Sequence, residues 1–253
     1  MQGSLAAAVG TVALGVVAYL YWRRGKVQQL LAAPAEVEAD SGTPPCDSKP
    51  GADVLLIGDS RIARWLPALQ LPAGFRVLNR GRGGETLAAL TRRFERDALR
   101  CHPRAIVLQS GVNDLVAASF MDADQSAAVV SATVDRIETL ARQAAAAGVP
   151  MLAMSILPPG RPTLAYRVEG VERLVRSVAE VNAALARVPW PPGVRLLDAR
   201  ELLCGEGGRT VRREFQDDTL HLNDAAYAAL NRLLLQALGT TLASEGVSTD
   251  MKA

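Results

Sequence analysis

The sequence predicts an α/β domain in which helices cover both faces of a parallel sheet. Five short apolar segments alternate strictly with five segments of helical periodicity. The first apolar segment, residues 54–57, has no polar face, as expected of a central strand that is covered on both sides. Polar and glycine-rich residues follow the first three apolar segments, where the turns at the carboxyl edge of a parallel sheet belong. We therefore expect a functional site at that edge.

The strands are predicted from aliphatic runs bounded by Gly, Pro or Asn, and the helices from apolar residues that recur every three or four positions. The predicted strands span residues 54–57, 75–78, 105–108, 150–156 and 194–197. The predicted helices span residues 61–68, 86–99, 125–147, 166–188 and 223–240. Because each strand is followed by a helix, all five strands should run in the same direction.

Composition limits the function classes. The chain has 253 residues and is 49% hydrophobic, which suits one domain of roughly 200 residues with an appendage. The net charge is only +2 and aromatic residues make up 4%, so we expect no nucleic-acid partner. The three cysteines are odd in number and lack paired or metal-type spacing, which predicts neither a disulfide framework nor a metal site. We expect no cofactor, and the oligomeric state is left open.

The amino-terminal segment predicts a membrane anchor. Residues 5–22 carry no charge and as a helix would extend roughly 27 Å, near the thickness of a bilayer core. Arg23, Arg24 and Lys26 follow directly, and no Lys or Arg precedes the segment, which disfavours a cleaved signal peptide. A buried core helix is the other interpretation. By the positive-inside rule the following domain faces the cytoplasm, with a periplasmic orientation as the alternative.

The domain organisation follows from these segments. Residues 1–26 form the predicted anchor with its basic flank, and residues 27–51 a linker that includes a tract rich in Pro, Gly and Ser. Residues 52–240 form the predicted globular domain, and residues 241–253 a disordered tail.

A candidate nucleophile follows the first strand. Gly58 and Asp59 supply turn chemistry, and Ser60 opens the next helix. A serine hydroxyl at this edge can act as a nucleophile, since the first helical amides stabilise an anion that forms beside it. An ordinary turn with an N-cap is the structural alternative.

The two histidines of the chain differ in predicted position. His102 precedes the third strand and therefore lies at the opposite edge, as an exposed loop residue. His221 precedes the last helix and is the one candidate base for Ser60. Asp218 lies three positions earlier, close enough in a tight turn to hold one imidazole nitrogen as a donor. Helix-start charges or a loose metal cluster with Asp217 and Asp224 are the alternatives.

Two further residues suit an oxyanion hole. Asn113 follows the third strand, and its side-chain amide is a donor, although the same residue also suits an N-cap. Gly84 follows the second strand and offers a backbone N–H without a side chain to obstruct a substrate. Together with the Ser60 amide they make three donors for one oxyanion. Asp59 is interpreted as a residue that shapes the nucleophile turn, and Asp114 as a cap or loop-holding residue.

These blocks, taken in order, resemble the SGNH hydrolases, or GDSL-type esterases and lipases. The resemblance covers residues 52–240 and rests on Gly58-Asp59-Ser60, Gly84, Gly111-x-Asn113-Asp114 and Asp218-x-x-His221. It implies a flavodoxin-like three-layer α/β/α sandwich with strand order 2-1-3-4-5, no metal, and ester hydrolysis through an acyl-serine intermediate. Arg61 departs from the pattern, since it stands where the family's namesake leucine would be.

The substrate is predicted only broadly. A small-acyl ester, a lysophospholipid or an O-acetylated glycan would suit the resemblance, and an acyltransferase would use the same acyl-enzyme. Four arginines near Ser60 suggest an anionic substrate group or a solvated basic face: Arg61, Arg64, Arg80 and Arg82. The alternative from another class is a membrane-tethered flavodoxin-like binding or scaffold protein whose turns are structural.

Overall fold

The predicted sheet and its strand order are confirmed. A computed structural model describes residues 52–65, 76–161 and 170–243 of the chain. Five parallel strands form one sheet in the order β2-β1-β3-β4-β5. They are β1 (Val54–Gly58), β2 (Val77–Gly81), β3 (Ile106–Gln109), β4 (Met151–Met154) and β5 (Val194–Leu197).

Helices cover both faces of this sheet. The α-helices are α1 (Ser60–Ala63), α2 (Leu87–Asp97), α3 (Val112–Ala118), α4 (Ala123–Ala146), α5 (Val171–Leu185), α6 (Arg200–Leu203) and α7 (Asp224–Ala243). Short 3₁₀ turns lie at Leu99–Cys101, Glu206–Gly208 and Arg213–Phe215. Side chains cap two of the longer helices: the Thr86 hydroxyl accepts from the amide of Ala89 in α2, and Asp122 accepts from the amide of Gln125 in α4.

Two hydrophobic cores sandwich the sheet, because successive residues of a strand point to opposite faces. In β1, Leu55 and Ile57 pack with α2, α3, α4 and α5, whereas Val54 and Leu56 pack with α1, α6 and α7. All four side chains are fully buried, as the lack of a polar face in this segment predicts. At the end of β1, a Cβ atom on Gly58 would lie 1.8 Å from the carbonyl oxygen of Gln109, so only glycine lets β1 and β3 approach this closely.

The edge strand and one short helix differ from the sequence prediction. The second strand was predicted at residues 75–78 but lies at Val77–Gly81, since an edge strand tolerates polar residues that resemble a loop. Helix α3 occupies a segment that was interpreted as a loop. Five of its seven residues are buried apolar side chains, so the segment lacks the polar face that marks an amphipathic helix.

The predicted membrane localisation is corrected. Within residues 52–65, 76–161 and 170–243, no helix is both long enough and apolar enough to cross a bilayer. The predicted span, residues 5–22, lies outside the described residues, as do the linker and residues 244–253. The prediction of a single-pass anchor with a cytoplasmic-facing domain is therefore withdrawn.

The cysteine count also gave a wrong expectation. Cys101 is disulfide-bonded, whereas Cys204 is free and buried. Burial raises the pKa of the Cys204 thiol to about 11, so this thiol stays protonated at neutral pH.

Candidate active site

Ser60 lies at the carboxyl edge of β1 as the first residue of α1. The preceding residue, Asp59, is the N-cap of this helix, and its Oδ1 accepts a hydrogen bond of 2.9 Å from the amide of Arg61. Asp59 is only 1% exposed. Burial raises the pKa of Asp59 to about 6, although the nearby Arg61 opposes the shift. The cap fixes the turn that presents the Ser60 hydroxyl.

Ser60, His221 and Asp218 form one chain of hydrogen bonds. The Ser60 Oγ lies 3.1 Å from Nε2 of His221, and Nδ1 of His221 lies 2.6 Å from Oδ2 of Asp218. An ionised carboxylate only accepts, so Nδ1 carries the proton and the lone pair of Nε2 faces the serine hydroxyl. The 161 residues that separate Ser60 from His221 in the chain are bridged because both lie at the same edge of the sheet.

The turn that carries His221 is organised around the Asp218 carboxylate. Its Oδ1 accepts from the amides of Leu220 and His221 at 2.7 and 2.9 Å, while its Oδ2 holds the imidazole. Burial alone would raise the pKa of Asp218, but the hydrogen bonds from the imidazole and the two amides hold it below its ordinary value. Asp218 is therefore a carboxylate at neutral pH, and it fixes both the ring and the backbone beside it.

Gly84 and Asn113 lie in two segments that meet at Glu85. The side-chain amide of Asn113 donates a hydrogen bond of 2.9 Å to the Glu85 carbonyl oxygen. The amide of Arg82 donates to the Gly58 carbonyl oxygen at 2.9 Å, which ties the start of the loop to the end of β1. Gly84 has a φ of 73°, a left-handed conformation that favours glycine, and the space beside its Cα is open. The second amide hydrogen of Asn113 is left for another acceptor.

A buried ion pair stabilises the loop that contains Gly84 and Glu85. The guanidinium of Arg93 makes a bidentate pair with the Glu85 carboxylate and also donates to the Arg80 carbonyl oxygen and to Asp97. Both side chains of the pair are 5% exposed. Asp114 adds a further tie, since its Oδ2 accepts from the Leu87 amide at 2.9 Å, at the start of α2. This confirms the interpretation of Asp114 as a loop-holding residue.

The sequence prediction holds for some of the other polar residues and fails for others. His102 is an exposed loop residue that precedes β3, at the edge opposite Ser60, as predicted. Two of the four arginines that were predicted to crowd an open face are instead buried, Arg61 at 2% and Arg80 at 8% exposure. The Glu85–Arg93 pair was missed. The two residues are eight positions apart in the sequence, and this spacing does not indicate that their side chains pair in the interior.

Comparisons with known proteins agree with this architecture. The chain is similar to a GDSL-like lipase from Bacteroides thetaiotaomicron VPI-5482, at 18% identity and a TM-score of 0.58 over 74% of this chain and 87% of that one. It is also similar to the acetyl xylan esterase AlAXEase, at 18% identity and a TM-score of 0.52 over 73% and 98% of the two chains. A catalytic mutant of an acetylxylan esterase from Geobacillus stearothermophilus gives 16% identity and a TM-score of 0.50 over 76% and 96%. At these identities the likeness shows the fold.

Comparison of the sequence with family profiles shows the family to which the chain belongs. No curated protein matches the chain. The sequence profile of the GDSL-like lipase/acylhydrolase family matches residues 48–229, a span that includes Ser60, Gly84, Asn113, Asp218 and His221. Because this match covers most of the chain, the protein belongs to the GDSL-like lipase/acylhydrolase family of ester-hydrolysing enzymes.

Proposed function

We propose that the protein is a serine esterase in which Ser60 is the nucleophile, His221 the general base and Asp218 the residue that orients the base. The observation that carries the proposal is the unbroken hydrogen-bond chain from the Ser60 hydroxyl through His221 to Asp218. A serine hydroxyl is a weak nucleophile on its own and needs an adjacent base that a third group holds in place.

The reaction proceeds through an acyl-serine intermediate. Nε2 of His221 takes the Ser60 proton while Oγ attacks the ester carbonyl carbon, and the same proton then passes to the leaving alcohol. Water, deprotonated in turn by His221, attacks the acyl-serine and releases the carboxylic acid, which restores the Ser60 hydroxyl. Asp218 stays ionised throughout and stabilises the imidazolium that forms in each step.

Three donors are proposed for the oxyanion: the amides of Ser60 and Gly84 and the side-chain amide of Asn113. The hydrogen bond from Asn113 to the Glu85 carbonyl oxygen supports this role, since it fixes the orientation of the amide group. Removal of one such donor typically costs about 10² to 10³ in rate. Asn113→Ala should therefore lower kcat by about this factor.

For the substrate we favour a small acyl ester of a glycan, such as an O-acetylated glycan, whose hydroxyl group is the alcohol that leaves. Support comes from the likeness in fold to two acetylxylan esterases. A lysophospholipid would instead require a long acyl chain. Hydrolysis of p-nitrophenyl esters from acetate to laurate separates the two classes, since an acetyl esterase should lose kcat/KM steeply as the chain lengthens.

The mechanism is tested with the full chain and p-nitrophenyl acetate. Ser60→Ala and His221→Ala should each lower kcat by about 10³-fold or more, and the double variant should be little worse, because the two residues act as a unit. The matched control is His102→Ala, which removes the other histidine from an exposed site at the opposite edge and should leave kcat unchanged.

A second readout tests the activation of Ser60 directly. A fluorophosphonate should label the parent at Ser60 and fail to label Ser60→Ala, since the reagent requires an activated hydroxyl. A parent that neither hydrolyses these esters nor reacts with the fluorophosphonate would contradict the proposal. The binding or scaffold interpretation would then account better for the geometry of the turns.

A further inference from the structure

Arg61 directly follows Ser60, yet its side chain points into the protein and is only 2% exposed. Its guanidinium donates to main-chain carbonyl oxygens on two distant loops. Nε donates to Leu220 at 2.8 Å, and the two terminal nitrogens donate to Leu157 at 2.6 Å and Pro158 at 3.4 Å. The loops are 96 to 159 residues away along the chain. A planar fork with five donors suits such a junction, whereas a leucine would offer none.

The contact with Leu220 matters because His221 is the next residue. The amides of Leu220 and His221 are both held by Asp218, so the turn behaves as one unit with the imidazole. The Arg61 side chain attaches this unit to the residue after the nucleophile. The backbone of Arg61 is fixed as well, since its amide donates to Asp59 and its carbonyl oxygen accepts from the Tyr227 hydroxyl at 2.8 Å.

We infer that Arg61 is a positioning residue that sets the distance between Ser60 and His221. This inference rests on the proposed function. The Arg64–Asp217 pair also joins the residue after α1 to this turn, but its side chains are 46% and 57% exposed. An exposed pair of this kind contributes little. The buried fork is therefore better placed than this exposed pair to hold the 3.1 Å separation between Oγ and Nε2.

A specific role explains the burial of the Arg61 guanidinium better than a general contribution to stability does. Desolvation lowers the pKa of Arg61, and the neighbouring Asp59 opposes this shift. Arg61→Leu removes the donors to three main-chain carbonyl oxygens and should lower the free energy of unfolding. A purely structural role would lower stability alone, whereas a positioning role would also lower kcat of the folded variant.

The test compares kcat and KM of the full chain on p-nitrophenyl acetate. Arg61→Leu should lower kcat by about 10²-fold with KM within about threefold, since a misplacement of about 1 Å between reacting groups costs this much. Arg61→Lys keeps the charge but not the fork, and should fall between the parent and Arg61→Leu. Both variants should react more slowly with a fluorophosphonate at Ser60, in proportion to the loss of kcat.

Trp65→Phe is the matched control. It removes another buried hydrogen bond that joins this part of the chain to α7, from Nε1 of Trp65 to Oδ1 of Asn231 at 2.8 Å, and no residue of the His221 turn takes part in that bond. We expect it to lower the free energy of unfolding but to leave kcat within about threefold of the parent. Equal losses of kcat in Trp65→Phe and Arg61→Leu would overturn the inference.

The outcomes separate this inference from the proposed function. If the parent is active and Ser60→Ala is not, but Arg61→Leu keeps kcat within about threefold, the positioning role fails and the proposed function stands. If the parent is inactive, both fail. If Arg61→Leu does not fold, Arg61→Lys decides the question, and an unchanged kcat in that variant would overturn the role.

Discussion

At the residue scale, two buried carboxylates lie beside Ser60 and the loop that carries Gly84. Asp59 caps α1, and Asp114 accepts from the Leu87 amide. Burial raises the pKa of each to about 6. In the unfolded chain both return to about 3.8. Between these values the folded protein binds more protons than the unfolded chain, so the contribution of each group to stability is present at low pH and is lost as the pH rises towards 6.

Asp114→Asn tests this linkage. Asparagine keeps an oxygen to accept from the Leu87 amide but cannot ionise, so the variant should lack the part of the pH dependence that comes from Asp114. The free energy of unfolding of the parent, relative to the variant, should fall by roughly 1 kcal/mol per pH unit between about pH 4 and pH 6. Urea denaturation across this range measures the difference.

Asp135→Asn is the control for this measurement. Asp135 lies on the exposed face of α4, so its replacement should leave the pH dependence of stability as in the parent. Parallel curves for the parent and Asp114→Asn would show that Asp114 titrates alike in the folded and unfolded states, and would contradict the prediction.

The sequence allowed some residues to be predicted and concealed others for a physical reason. Ser60, Asp218 and His221 could be proposed because turn residues after a strand must lie at one edge of a parallel sheet, and few histidines compete. Arg61 and Arg80 were placed on an open face because charged residues are seldom buried. The partners of Arg61 are main-chain carbonyl oxygens far away in the chain, which a local pattern does not reveal.

At the element scale, the loop between β2 and α2 depends on one buried ion pair. Arg93 in α2 reaches back to Glu85, whose carbonyl oxygen accepts from Asn113. Arg93→Met leaves the Glu85 carboxylate buried without its cation, which should cost about 3 to 5 kcal/mol of the free energy of unfolding. The loop that carries Gly84 should loosen, so kcat on p-nitrophenyl acetate should fall as well.

Two further variants make this prediction specific. Glu85→Leu combined with Arg93→Met removes both charges, and should recover much of the lost stability. Arg96→Met removes a cation that also pairs with Asp97 but has a side chain that is 62% exposed, and should cost less than about 1 kcal/mol. Urea denaturation of the three variants would contradict the ion-pair explanation if Arg93→Met and Arg96→Met lost the same stability.

The bounds of two strands followed the sequence closely. β1 and β5 were predicted to within one residue because their apolar runs end abruptly at turn residues. β2 was misplaced because this edge strand contains Asn79 and Arg80, which resemble loop residues. α3 was missed because a buried helix of seven residues is too short to show helical periodicity.

At the scale of the whole molecule, the proposed site depends on how closely α1 packs on the sheet. The side-chain amide of Asn79 in β2 donates to the Ile62 carbonyl oxygen at 2.7 Å. At Gly81, a Cβ atom would lie 2.2 Å from the backbone nitrogen of Ala63. The edge strand and the helix that carries Ser60 therefore touch through their backbones. The position of Ser60 relative to the His221 turn is thus set by contacts on both sides of α1.

Gly81→Ala should push α1 away from the sheet, because the atoms in the way belong to the backbone and cannot rotate aside. Overpacking of this kind costs about 1 to 3 kcal/mol, and the shift of Ser60 should lower kcat by at least about tenfold.

Gly239→Ala in α7 is the matched control, since the added methyl meets nothing within 4 Å. It should stabilise the helix by about 0.5 to 1 kcal/mol and leave kcat unchanged. Urea denaturation and p-nitrophenyl acetate hydrolysis measure both variants, and a Gly81→Ala protein as stable and active as Gly239→Ala would show that α1 has room to adjust without moving the nucleophile.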